Sequence, residues 1–170
     1  ERLPVDFGDV AAEAASSLVG PARERGIVVT ADPAPTVVTG DAARLRQLVV
    51  ILVDNAIAHS PSGTAVLVKV RAAHDSVTVS VIDAGSGLTA EQCERAFDRF
   101  WRADPSRARV RGGTGLGLSI ALEDARLHNG ELDAWGRPGK GAHFVLTLPR
   151  IAGNSIESRL IRLEPKDYSL

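Results

Sequence analysis

The chain of 170 residues has one cysteine, Cys93, and no methionine, not even at position 1. A single thiol excludes an internal disulfide and a multi-cysteine metal site, and it suits a reducing compartment. A chain without an initiator methionine reads as a piece of a longer protein. Net charge is only −1, so there is no bulk charge of either sign to hold nucleic acid or an anionic membrane surface. No apolar run approaches the roughly 18 residues needed to span a bilayer, and no signal peptide is visible. Repeats and low-complexity blocks are also absent. What remains, 44% apolar and 24% charged residues, is the composition of one ordinary globular domain with a core of its own.

The feature that stands out is glycine. Gly112-Gly113-Thr114-Gly115-Leu116-Gly117 holds four glycines in six positions and runs into a helical segment expected over 116–128. Glycine backbone can approach a ligand closely. A helix N-terminus adds free N–H groups and the positive end of a dipole. Together they make an anion site of the kind that cradles nucleotide phosphates. The stretch is neither a Walker A loop, which needs a Lys, nor a dinucleotide fingerprint, which should follow a strand directly.

Around it the periodicities alternate between helix and strand. A helix is expected over 6–25, with a break or kink near Pro21 in its last turn. Short extended pieces at 27–30 and 36–39 precede a second helix N-capped by Asp41. Its stripe Leu45, Leu48, Val49, Leu52, Val53 and Ala56 has core-facing spacing. Segments 65–73 and 76–83 form a hairpin about His74-Asp75, and a short helix spans 90–97. Residues 98–114 carry five arginines and little periodicity, which reads as a long functional loop. Strands 131–135 and 142–148 close a domain of residues 1–150. Residues 151–170 read as a disordered polar tail.

Two residues are out of place in these patterns. Strand 76–83 puts Val77, Val79 and Val81 on one face, and counting on by two puts Asp83 there as well. A carboxylate aimed into a core needs a partner. It either caps its own turn by an Asx bond or accepts from a buried ligand donor such as the adenine amine. On helix 41–59, Ile51, Asn55, Ala58 and His59 share a face beside the apolar stripe. Asn is a poor mid-helix residue unless its amide has a task. It either bonds nearby backbone or supplies an oxygen to Mg²⁺. His59 has no second His or Cys nearby and reads as a packing or hydrogen-bonding residue. Phe100-Trp101 can anchor the arginine loop so that Arg102 swings over a phosphate. Cys93 has no base partner and reads as an ordinary helix residue.

Taken in order, these blocks resemble the ATP-binding catalytic domain of bacterial sensor histidine kinases, within the wider gyrase, Hsp90, histidine kinase and MutL (GHKL) family. The resemblance spans about residues 5–149. Asp54-Asn55-Ala56 resembles the N box, and Asp83-Ala84-Gly85-Ser86-Gly87 the DxGxG box. Phe97-Asp98-Arg99-Phe100-Trp101-Arg102 resembles the F box. Gly113-Thr114-Gly115-Leu116-Gly117-Leu118 resembles the second glycine box, and Gly139-Lys140-Gly141-Ala142-His143-Phe144 the closing GxGxxF. The wording of Glu123–His128 is similar to actinobacterial members.

The resemblance implies an α+β fold, a two-layer sandwich of the Bergerat type. A mixed sheet of about five strands would pack under three helices, with ATP beneath a mobile lid. It implies Mg-ATP as ligand, with Asn55 on Mg²⁺ and Asp83 on the adenine amine. Gly85 and Gly87 would let backbone approach the base, with His59 and Leu88 also at the nucleotide. Gly113, Thr114, Gly115 and Gly117 would cradle the phosphates, with Leu116 and Leu118 at the base of the lid. Arg102 would steady the γ-phosphoryl, which makes Asn55 and Arg102 the catalytic pair.

The implied activity is transfer of the γ-phosphoryl to a histidine on a separate dimerisation and acceptor domain. The implied onward partner is a response regulator; nucleic acid is not a partner. The setting would be the cytoplasmic part of a membrane-anchored kinase, this piece not itself being embedded. The alternative is a weakly catalytic nucleotide-binding module that works through lid ordering. The family usually has a polar residue four before its Asn, a basic one three after, and Ser or Thr where Ala142 sits. Here the first two positions are Ile51 and Ala58, both expected to face the phosphates. Gyrase- and Hsp90-type hydrolases place a Glu where Ile51 stands, and Ile51 cannot activate water.

Overall fold

A computed structural model describes residues 1–101, 116–151, 153, 154 and 156. The expected roles of Arg102, Gly113, Thr114 and Gly115, and most of the tail, therefore lie outside the described residues.

Five strands form a mixed sheet in the order β2 (Val28–Pro33), β4 (Ala65–Ala72), β5 (Ser76–Asp83), β7 (Ala142–Pro149), β6 (Glu131–Gly136). β2 and β4 run parallel and every other pair is antiparallel. Helices α1 (Phe7–Ser17), α3 (Ala42–His59) and α5 (Gly117–Leu127) pack together and against the sheet. The short α2 (Val19–Glu24) and α4 (Ala90–Arg95) sit beside β2 and β6. This is the expected two-layer α+β sandwich.

α3 is the spine of the layer. Asp41 caps it by accepting from the Arg44 amide at 3.2 Å, and all six residues of the expected stripe are fully buried. They face Val66, Val68 and Val70 of β4, Val77, Val79 and Val81 of β5, and Phe144, Leu146 and Leu148 of β7. Burial of this aliphatic set, at about 1.5–3 kcal/mol per large side chain, is the main force that joins helices to sheet.

Three expectations change. The helix expected over 6–25 is two helices, broken at Leu18. Pro21 lacks the N–H that would bond the Ser17 carbonyl, and its ring crowds that carbonyl, so the break falls one turn earlier than the proline itself. The chain before Phe7 is a strand: β1 (Leu3–Asp6) pairs antiparallel with β3 (Val37–Gly40) in a separate two-stranded ladder. Finally, β5 is buried on both faces, the Thr78 and Ser80 side as well as the valine side.

Candidate functional site

Asp83 ends β5 on its valine face, opposite Ala142 of β7, and is buried. Its Oδ1 accepts from the Gly85 amide at 2.9 Å and the Ala142 amide at 3.2 Å. The first bond is an Asx turn. Both bonds fall on Oδ1, so the turn does not use Oδ2, the oxygen that the ligand reading needs. Burial pushes the carboxyl up to about 6, and the two amide donors only partly offset that rise.

The glycines after Asp83 serve the chain before they serve a ligand. A Cβ on Gly85 would lie 2.3 Å from the His59 carbonyl oxygen, so the turn is pressed onto the end of α3. Gly87 has φ +78, and a Cβ there would meet the Arg137 carbonyl oxygen at 2.0 Å. From the other side, Gly141 has φ +83 and would place a Cβ 2.0 Å from the Asp83 carbonyl oxygen. The Gly139 amide also donates to the Ser86 carbonyl at 2.8 Å. The β6–β7 turn is thus zipped to the Asp83 turn, and Ala142, whose missing hydroxyl is a departure from the family pattern, contributes its amide. Leu88 is half-buried against Gly136, followed by the Thr89–Gln92 capping box of α4. Burial raises the Cys93 thiol on α4, away from thiolate chemistry.

The other end of the site is the start of α5. α1, α3 and α4 are capped by Asp6, Asp41 and Thr89, whereas α5 begins at Leu116 with no side-chain cap. Among the described residues no side chain caps its first amides, from Gly117 to Ser119, which are donors of the kind an anion can use. Ile51 of α3 lies against this end: a Cβ on Gly117 would sit 3.5 Å from Ile51 Cγ2. Leu118 is half-buried on the core.

α3 therefore touches the Asp83 turn through His59 and the start of α5 through Ile51. These residues are eight apart, about 12 Å along a helix, with half-buried Asn55 between them. Ala58 is half-buried and His59 exposed on the same stretch. The carboxylate, the amide and the uncapped N–H groups thus lie in sequence along one helix, on the scale of an extended nucleotide.

The F-box segment is held differently from expectation. Phe97 sets its ring edge-on against Phe144, with centroids 6.0 Å apart, and Trp101 packs on the core. Phe100 does not join the core: its φ is +64 and it is 71% exposed. Arg99 instead ties the segment to α5 through Glu123 at 2.8 Å.

Residues 40–152 match the family model described as histidine kinase-, DNA gyrase B-, and HSP90-like ATPase. The chain belongs to this ATPase family. Its nucleotide is therefore ATP, and its similarities run to sensor kinases. It is 45% identical over 146 residues to the sensor histidine kinase MtrB of Mycobacterium tuberculosis, a match covering 85% of this chain and 26% of that protein. It is 41% identical over 155 residues to the sensor-like histidine kinase SenX3 of Mycolicibacterium smegmatis, covering 88% and 40%. The chain thus spans about a quarter of the length of its MtrB relatives.

Among solved structures, mycobacterial sensor histidine kinase MprB superposes with TM-score 0.74 at 26% identity, over 89% of this chain and 99% of that one. Full-length ShkA in complex with AMPPNP gives 0.77 at 28%, over 91% and 32%. Sequence reasoning quoted the closing GxGxxF of this ATPase family but missed its task, holding the Asp83 turn. The signal was Gly141, one residue before the Ala142 amide that Asp83 accepts.

Proposed function

We propose that this chain is the catalytic domain of a two-component sensor histidine kinase, binding Mg-ATP and giving its γ-phosphoryl to a histidine on a separate dimerisation and acceptor domain. The observation that carries the reading is the buried Asp83 carboxylate, one oxygen fixed by the fold and the other left to a ligand. Oδ2 would accept from the adenine amine, and the uncapped amides of α5 would hold phosphate oxygens. Asn55 fits Mg²⁺ as a neutral amide oxygen beside the phosphate end, where the ion would keep waters, bridge phosphates and offset their charge. Arg102 would steady the γ-phosphoryl, since phosphoryl transfer asks mainly for positioning and charge stabilisation.

The acceptor would come from elsewhere. His128 is buried with Nδ1 at 2.7 Å from the Asp124 carbonyl and Nε2 accepting from the Asp41 amide at 3.1 Å. His143 is buried in the sheet, His74 lies in the β4–β5 turn, and His59 ends α3. Sensor-kinase relatives that match most of the fold favour this reading over a weakly catalytic module. The onward partner would be a response regulator, and the setting the cytoplasmic side of a membrane-anchored kinase. Among the described residues no helix is long and apolar enough to cross a membrane.

Calorimetry with Asp83→Asn tests the reading. A lost charged hydrogen bond costs about 1.5–3 kcal/mol, so ATP affinity should fall about tenfold or more. Equal affinity in parent and variant would overturn the assignment. The chain alone should also show no stable, acid-labile phosphorylation with ATP until an acceptor domain is supplied.

A further inference from the structure

α5 meets α3 along one seam. Gly117, Ala121, Asp124 and His128 recur at the three- and four-residue spacing of a single helix face. Gly117 lies against Ile51, Asp124 Oδ1 accepts from Arg44 Nη1 at 3.1 Å, and His128 Nε2 accepts from the Asp41 amide at 3.1 Å. The two helices are thus antiparallel, with the end of α5 beside the start of α3. The Gly117–Ala121 half of the seam is smooth. Small residues allow close approach but give no ridge to fix how far one helix slides along the other.

The other half is directional. His128 is held in one tautomer: Nδ1–H donates to the Asp124 carbonyl at 2.7 Å, which leaves Nε2 to accept from Asp41. Gly40 gives the ring its place, since a Cβ there would lie 3.2 Å from His128 Cδ2. Arg2 donates to the Leu127 carbonyl beside it. Asp124 is 3% exposed, and its Oδ2 has no hydrogen-bond partner among the described residues. A buried carboxylate that uses one oxygen adds little to stability, because desolvation offsets the attraction of Arg44. What the pair supplies is a fixed position of one helix along the other.

On the nucleotide reading above, we propose that Arg44, Asp124 and His128 are positioning residues. They set where α5 stops along α3, and so where its first amides stand relative to Asn55. α5 has 11 residues and is about 16 Å long. A hydrogen-bonded helix of that length carries a shift at its latched end through to its start. The Asp83 turn is held by its own contacts, to the Ala142 amide and the His59 carbonyl. Releasing α5 therefore loosens the hold on phosphates and leaves the reader of the base in place.

Adenosine and ATP separate the two ends. The affinity of each for the full 170-residue chain is measured by calorimetry or NMR titration. Asp124→Ala, Arg44→Ala and His128→Ala should each lower ATP affinity about fivefold or more, with adenosine affinity at the parent value. Asp124→Ala removes the buried charge and keeps the test available if Arg44→Ala, which leaves that charge unpaired, unfolds. His128→Gln, whose Oε1 can accept from the Asp41 amide, should recover most of the His128→Ala loss. Val70→Ala, a core deletion on β4, lowers stability and should leave the ratio of the two affinities unchanged. A parent-like ratio in Asp124→Ala and His128→Ala would overturn the proposal. So would an equal loss for both ligands, which is what general destabilisation produces. Asp83→Asn detects failure of the nucleotide reading itself: it should weaken both ligands, and parent-like binding of both would sink that reading instead of the latch.

Discussion

The two ends of the proposed nucleotide site are built on opposite plans. At the Asp83 end the chain has bonded to itself: two amides converge on Oδ1, three glycines let carbonyls press within what a Cβ would occupy, and the β6–β7 turn is hydrogen-bonded in place. At the α5 end the helix starts without a cap, and Gly117 has ordinary room around it. One end is finished before a ligand arrives and the other presents donors still to be used. On the proposed assignment, a rigid reader of the base is thereby joined, through α3, to a phosphate end that the ligand would complete.

Glycine substitutions should break that contrast most sharply. Gly87→Ala forces a side chain to φ +78 and onto the Arg137 carbonyl. The left-handed backbone costs about 1–2 kcal/mol and the overlap about 1–3 more. Thermal unfolding should therefore fall by several degrees, and ATP affinity with it as the Asp83 turn shifts. A variant as stable as the parent would show that the two turns are not locked together.

Acid is the next lever. The Asp83 pKa rises from 3.8 to about 6 because the ionised form is desolvated. Its contribution to folding is therefore full below pH 3.8 and lost as pH climbs through 6. Nucleotide binding runs the other way: the amine needs an acceptor, and a protonated carboxyl presents a donor. ATP affinity should be full above pH 6 and fall by up to about tenfold per pH unit below it. Asp83→Asn, which cannot titrate, should flatten that profile. A parent profile equally flat from pH 5 to 8 would remove Asp83 from the base.

Smaller effects sharpen the picture. Thr89→Ala removes the α4 capping box beside the base end and should cost about 1 kcal/mol in denaturant unfolding. Among the described residues Gly117→Ala meets only Ile51, at van der Waals distance, and should change stability by less than about 0.5 kcal/mol. Its ATP affinity should nevertheless fall, because a methyl group would stand where phosphate oxygens approach. Unchanged affinity would show that they do not approach there.

How much of this was legible depends on how local each cause is. The α3 stripe follows from a 3.6-residue period, and Asp83's burial from counting by two along β5. Both are one-dimensional patterns. The β1–β3 ladder joins segments over thirty residues apart and leaves no local mark on Leu3–Asp6. The true work of Gly85, Gly87 and Gly141 was hidden because their neighbours, His59, Arg137 and Asp83, meet them only in three dimensions. The break at Leu18 was readable in principle, since Pro21 obstructs the carbonyl four residues back and not its own position.

The parallel pairing of β2 with β4 has a consequence in time. Antiparallel β4 and β5 are joined by the three residues 73–75 and can zip as soon as both exist. β2 reaches β4 only across residues 34–64, a crossover containing β3 and the whole of α3. Loop closure over that length is slow to be repaid. β2, an edge strand with Val28 61% exposed, should therefore dock late in folding, and its amides should exchange with deuterium sooner than those of β4 and β5.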